Sequence, residues 1–300
     1  MNISAQRFTT KARTWLFIAA LTALLIGIGA LIGGMFLYGF VALAVAINVV
    51  GYWFSDRLAL KASRAQPVEP GTNPELEAMV QDLAQRAQVP VPRLFTIPSE
   101  QPNAFATGRN PGHAAVAVTD GLLQQLPAEQ VESVLAHEFG HIKNRDILVS
   151  SIAAMVAGAI AAIANLLQFS LLFGGDDEDS GALGWIGLLG TILFAPLAAS
   201  LLQLAVSRQR EYLADATGAE VLGRGSSLAD ALETLERRAQ TSPLDVNPAT
   251  ASLYIVNPLR RQGLATLFST HLAIAERVRR LRALDGDQTF RVVAERVAGV

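Results

Sequence analysis

Charged residues recur at short intervals along most of this chain, yet four stretches carry none: Thr14 to Ile32, Met35 to Phe54, Ile147 to Phe173 and Leu183 to Val206. Each approaches or exceeds the ~20 apolar residues that a helix needs to cross a bilayer. Gly33-Gly34 is the only turn between the first two, which therefore read as a helical hairpin. Between the other two lies the acidic stretch Asp176-Asp177-Glu178-Asp179. Four membrane-spanning helices are expected. The first is not read as a cleavable signal, because its apolar core exceeds the roughly 7 to 15 residues of a signal core and a second apolar segment follows at once.

The remaining segments have the periodicities of a folded domain. Pro67 to Pro74, with three prolines and a glycine, reads as a linker. Asn73 then caps a helix that starts with Pro74 and turns Leu76, Met79, Val80, Leu83 and Ala87 to one face. Arg93 to Ile97 and His113 to Thr119 are strand-like, separated by the turn residues Arg109-Asn110-Pro111-Gly112. A further helix is expected from Ala128, with Pro127 at its start, Glu129 and Glu132 near its positive end, and Val131, Val134, Leu135 and Ile142 as an apolar stripe. Ser226 to Gln240 reads as an amphipathic helix, Pro243 to Pro258 as a loop able to cover a cleft, and Asp285 to Val300 as a loose terminus.

Composition agrees with a membrane part joined to a compact domain. The 300 residues are 51% hydrophobic and only 17% charged, with a mean hydropathy of +0.34, too apolar for an ordinary soluble protein. A net charge of −2 gives no affinity for nucleic acid. Cations flank the apolar runs on one side: Arg7, Lys11 and Arg13 before the first, Arg57, Lys61 and Arg64 after the second, Lys143 and Arg145 before the third, Arg208 and Arg210 after the fourth. The loop from Gly174 to Ala182 has none, so both termini are expected to face the cytoplasm. The expected division is a cytoplasmic N-terminus (1–13), a transmembrane hairpin (14–54), a first domain part (55–146), a second apolar pair (147–206) and a second domain part (207–300).

The chemistry concentrates in His137-Glu138-Phe139-Gly140-His141. On a helix, residues four apart point the same way, so both imidazoles can reach one metal ion while Glu138 sits beside it as a general base. With 4 histidines in the chain, chance produces the pattern roughly once in 400 such sequences, so it is informative but not decisive alone. Absence of cysteine leaves histidine, carboxylate and water as ligands, which favours a catalytic over a structural zinc. A hydrolytic zinc takes three protein ligands. Glu211 is the natural third, and Asp215, on the same helical face, is suited to accept a hydrogen bond from the far nitrogen of a ligating histidine. The alternative for both is a charged helix face paired with Arg208 or Arg210. His113, at a strand start, reads as a polar edge residue rather than a ligand.

Four motifs in order, Asn-Ala-Phe-Ala-Thr-Gly at 103–108, His-Glu-Phe-Gly-His at 137–141, Arg-Glu-Tyr-Leu-Ala-Asp at 210–215 and Phe-Ser-Thr-His at 268–271, resemble the signatures of the HtpX-type membrane metalloproteases. These belong to peptidase family M48, of gluzincin type. The resemblance spans about residues 13 to 282 and implies a mainly α membrane protein, with four transmembrane helices and a cytoplasmic zincin-like α+β domain built on a small sheet and the His-Glu-x-x-His helix. It implies one Zn2+ per subunit on His137, His141 and Glu211, with Glu138 as general base and Asp215 behind the ligands. Asn103, Ala104, Phe105 and Ala106 would form the cleft edge on which an extended substrate adds as a strand. His271 and Arg277 would stabilise the oxyanion, although Leu272 stands where similar sequences usually have proline.

The implied activity is zinc-dependent endoproteolysis at the cell inner membrane, in ATP-independent quality control of misfolded or damaged membrane proteins during stress. The partners implied are polypeptides and the lipid bilayer, with neither nucleic acid nor nucleotide; no phosphate-binding loop is found. Three rivals are a zinc-binding membrane scaffold without turnover, a transporter, and a relative that trims prenylated peptides. The four apolar runs hold no ionisable residue, which argues against transport.

Overall fold

The computed structural model describes residues 34–152, 208–241, 253–255 and 274–286, with a few isolated positions in the first apolar run. The rest of that run, the third run beyond Ile152, the whole fourth run and His271 lie outside the described residues. The second run forms helix α1 (Met35–Ala62), which begins after Gly34 in a left-handed conformation. Its two halves, Leu37–Ala46 and Val49–Ala62, bend by 50°. Among the described residues no single helix is long and apolar enough to cross a membrane, and this bent pair passes only when taken together.

The segment read as a linker contributes a short strand, β1 (Gln66–Pro67), before helix α2 (Pro74–Ala87). As expected, Asn73 caps α2 by accepting from the Leu76 amide, and Leu76, Val80, Leu83 and Ala87 are buried. Strands β2 (Arg93–Ile97), β3 (Ala104–Gly108) and β4 (Ala114–Thr119) complete a mixed sheet in the order β1-β2-β4-β3. β2 and β4 run parallel, β3 and β4 antiparallel with Phe105 opposite Ala117, so β3 is an edge. His113 lies in the 3-10 turn Pro111–His113 rather than in the strand, and its ring bonds Asn110.

Strand alternation gives this sheet two different faces. Ala104, Ala106, Val116 and Val118 join Val131, Val134, Leu135 and Phe139 in the main core. Ile97, Phe105, Ala115 and Ala117 form a smaller cluster with Ala59 and Leu60 at the end of α1. A short helix, α3 (Asp120–Gln125), capped by Thr119, leads into α4 (Ala128–Asn144), the helix that crosses the first face. The segment from Ile147 to Ile152 is helical again, and Ser151 there bonds Thr107 at 2.7 Å. Helices α5 (Arg208–Leu222), α6 (Ser226–Thr241) and α7 (Ile274–Leu284) close the domain. Asp285, assigned from sequence to a loose terminus, instead accepts hydrogen bonds from the Gly225 and Ser226 amides at the start of α6.

Candidate metal centre

Helix α4 carries its apolar stripe toward the sheet and rotates His137, Glu138 and His141 into the gap beneath α5. His137 and Glu138 are 1% and 3% exposed. The two Nε2 atoms stand 3.2 Å apart, as two ligands of one small ion would. Glu211 comes from α5, with Oε2 3.7 Å from His137 Nε2 and Oε1 3.8 Å from His141 Nε2. One ligand atom from each of the three residues falls within 4.8 Å of the others. Among the described residues, two imidazole nitrogens and one carboxylate oxygen converge, a donor set that matches a zinc site keeping one position for water.

Helix α5 reaches this position because two glycines let backbones touch. A Cβ on Gly140 would lie 2.6 Å from the Ala214 carbonyl oxygen, and one on Gly218 would lie 3.0 Å from the Ala136 oxygen. These contacts fix the separation of α4 and α5 on either side of the ligands. Ala214 lies between Glu211 and Asp215, so the close approach delivers both acids at once.

Each histidine donates its far nitrogen to a different carboxylate. His137 Nδ1 is 2.9 Å from Asp215 Oδ1, and Asp215 accepts two further bonds from Arg277, at 2.8 Å from Nε and 2.6 Å from Nη2. The guanidinium, 2% exposed, also lies 3.8 Å from Glu211. His141 Nδ1 is 3.0 Å from Asp146 Oδ1. Asp146 turns back toward the site because Arg145 ends α4 in a left-handed conformation at φ 60°. With both Nδ1 protons so held, each Nε2 presents a lone pair to the same point.

The electrostatics follow from burial and these partners. Burial pushes the Glu138 carboxyl above its usual range, opposed by the two histidines and by the Ala106 amide. For His141, burial lowers the pKa but the Asp146 carboxylate more than offsets this, raising it to about 10. Burial would raise Asp215, yet the Arg277 fork and His137 hold it well below the carboxylate range. The Arg277 cation is disfavoured by burial and more strongly favoured by Asp215.

A cavity of about 20 Å³ lies among Ala106, Glu138, His141, Glu211 and Tyr254, room for about one water and not for a peptide. Its outer wall is Leu253–Ile255, all buried, from the segment expected to cover a cleft. The Ile255 amide donates to the Ala104 carbonyl at 3.3 Å, on the free edge of β3. Tyr254 crosses to the other face of the sheet and meets Phe105 edge-on, with ring centroids 5.2 Å apart.

The structure thus gathers Ala106, His137, Glu138, His141, Glu211, Asp215 and Arg277 around one point, with Ala104 on the adjoining strand edge. Asn103 and Phe105 are fully buried, Asn103 accepting from Thr119 through its carbonyl. Sequence reasoning missed Asp146 and the Ile255 contact. An acid five residues past a ligating histidine is the signal that would have found Asp146.

A model of peptidase family M48 matches residues 70–285. The protease HtpX homolog of Syntrophobacter fumaroxidans is 50% identical over 282 residues, covering 92% of this chain and 99% of that protein. That of Pyrococcus furiosus is 48% identical over 275 residues, covering 91% and 95%. The crystal structure of S. mikatae Ste24p superposes with a TM-score of 0.49 at 22% identity, covering 92% of this chain and 67% of that one.

Proposed function

The chain belongs to peptidase family M48 as a metalloprotease of the HtpX type, and from that premise we propose that it is a membrane-embedded zinc endopeptidase acting on polypeptides at the cytoplasmic side. The observation that carries this reading is the triad His137, His141 and Glu211 with Glu138 buried beside it in a cavity of water size. One zinc per chain would be held by those three residues. When bound it supplies Lewis acidity, polarising a carbonyl and lowering the pKa of water toward ~7.

The rest of the reaction falls to the protein's own groups. Glu138, buried beside the triad and held above the usual carboxylate range by that burial, takes a proton from the attacking water and returns it to the leaving amine. Asp215 and Asp146 hold the ligating rings in the tautomer that leaves Nε2 free. Arg277 keeps Asp215 ionised and in place; the transition-state role proposed for it together with His271 would be additional. The peptide lies extended along the edge from Asn103 to Ala106, taking over the Ala104 carbonyl from Ile255.

Four apolar runs and their flanking cations support a multi-pass protein of the cell inner membrane with both termini inside. ATP-independent quality control of damaged membrane proteins under stress is the role this placement suits. The test is to purify the full chain with chelator, restore zinc, and follow cleavage of an unfolded membrane substrate and of the chain itself. Cleavage should require zinc and fall at least ~100-fold in Glu138→Gln, which keeps its metal. Equal cleavage by both proteins would overturn the reading.

A further inference from the structure

Outside the metal centre, the end of α1 meets the turn before β4 around a recess of about 330 Å³, a size within the range of small-ligand sites. Its walls include Trp53, Arg57, Arg93 and Arg109. Arg93 is paired with Asp56 at 2.6 Å. Among the described residues, Arg57 and Arg109 have no carboxylate partner. Both guanidinium groups lie over aromatic faces: Arg109 stands 4.6 Å from the Trp53 ring centre and Arg57 5.7 Å from that of Phe54. The recess therefore holds more positive charge than its one acid, Asp56, neutralises.

An apolar track leads into it. Tyr38, Val41 and Val45 on the first half of α1 are exposed at helical spacing, and Val49 and Trp53 on the second half, beyond the bend, are exposed and share one face. Arg57 continues that face one turn beyond Trp53. The order is long apolar stripe, then indole, then a pair of arginines that converge from the helix and from the domain. That is the order of parts in a phospholipid: acyl chain, glycerol level, phosphate.

We propose that the recess is a binding site for the headgroup of an anionic glycerophospholipid, with Arg57 and Arg109 on the phosphate and the acyl chain along the exposed face of α1. The site rests on the reading that α1 lies in the bilayer. Its effect is to tie the protease domain to the membrane surface through the strand-connecting turn Arg109 to His113, directly after the edge strand that borders the metal centre.

The test uses the full chain with Trp15→Phe and Trp185→Phe, which leaves Trp53 as the reporter, reconstituted in phosphatidylcholine nanodiscs. Brominated phosphatidylglycerol and brominated phosphatidylcholine are compared as quenchers. The anionic lipid should be preferred about fivefold or more, one surface cation being worth roughly that factor. The preference should fall to about one in Arg57→Gln/Arg109→Gln and persist in Arg57→Lys/Arg109→Lys, with zinc-dependent cleavage retained as evidence of folding. Equal quenching by both lipids would overturn the headgroup site while leaving α1 in the bilayer. Quenching by neither would overturn the membrane placement of α1 as well. If inorganic phosphate, but not chloride at equal ionic strength, removed the preference, the site would bind free phosphate and the lipid assignment would fail.

Discussion

The two ligating histidines are held in contrasting ways. His137 is fully buried and its partner Asp215 is locked by Arg277, so three residues from three helices, 140 positions apart at the extremes, act as one unit. His141 is partly exposed and its partner Asp146 lies only five residues on, reached by one left-handed turn. The inner half of the site is a tertiary object and the outer half a local one. Removing Asp215 strands the buried Arg277 cation, whereas removing Asp146, though it is buried as well, leaves a neutral imidazole short of one acceptor and strands no guanidinium.

The largest effect is therefore expected from Asp215→Ala. It leaves the Arg277 cation buried without its partner, at a cost of about 3–5 kcal/mol, and weakens zinc binding roughly 10- to 100-fold. Thermal unfolding and chelator competition read the two separately. The double variant Asp215→Ala/Arg277→Met should recover much of the stability and none of the affinity, which separates folding from ligand orientation. If it recovered both, Asp215 would have no orienting role.

Next comes Gly140→Ala, whose methyl would press on the Ala214 carbonyl and force α5 away. A destabilisation of about 1–3 kcal/mol is expected, with weaker zinc retention because Glu211 moves with the helix. Unchanged metal stoichiometry and melting would contradict the close contact.

Asp146→Ala should do less. Zinc affinity should drop about tenfold with a stability loss of about 1 kcal/mol, the low end for a buried donor left without its acceptor because His141 itself is partly exposed, as measured by the same competition and melts. A loss equal to that of Asp215→Ala would erase the distinction between the halves.

The smallest change is expected at the outer wall. Ile255→Pro removes the amide that occupies the Ala104 carbonyl, and cleavage of an added peptide should rise a few-fold through KM, about 1 kcal/mol being at stake. A fall in activity with zinc retained would show that this segment supports the cleft instead of filling its edge.

The same contrast explains what was legible in the sequence. Period and caps gave α2 with Asn73, the histidine helix and the strands β2 and β4, because those signals are local. Glu211 and Asp215 were readable since the chemistry demands a third ligand and helical spacing ties the two acids together. β1 was hidden because two residues, one of them a proline, become a strand only when β2 pairs with them. Arg277 was expected, from the family resemblance, as an oxyanion group; its pairing with Asp215 was not legible because that partner lies 62 residues away on another helix. Asp146 depends on the backbone of Arg145, a non-glycine residue with positive φ that no residue preference announces. Asp285 looked like the start of a tail because nothing in its neighbourhood shows the open amides of α6.

The glycine contacts between α4 and α5 also set an order of events. They join helices that the chain separates by residues 145–207, so a ribosome releases His137 and His141 well before Glu211. Until α5 has emerged and docked, Gly140 and Gly218 have nothing to close against, and the nascent protein holds two thirds of a metal site. A protease so divided has no complete metal site until the chain has been made through Glu211 and α5 has docked against α4.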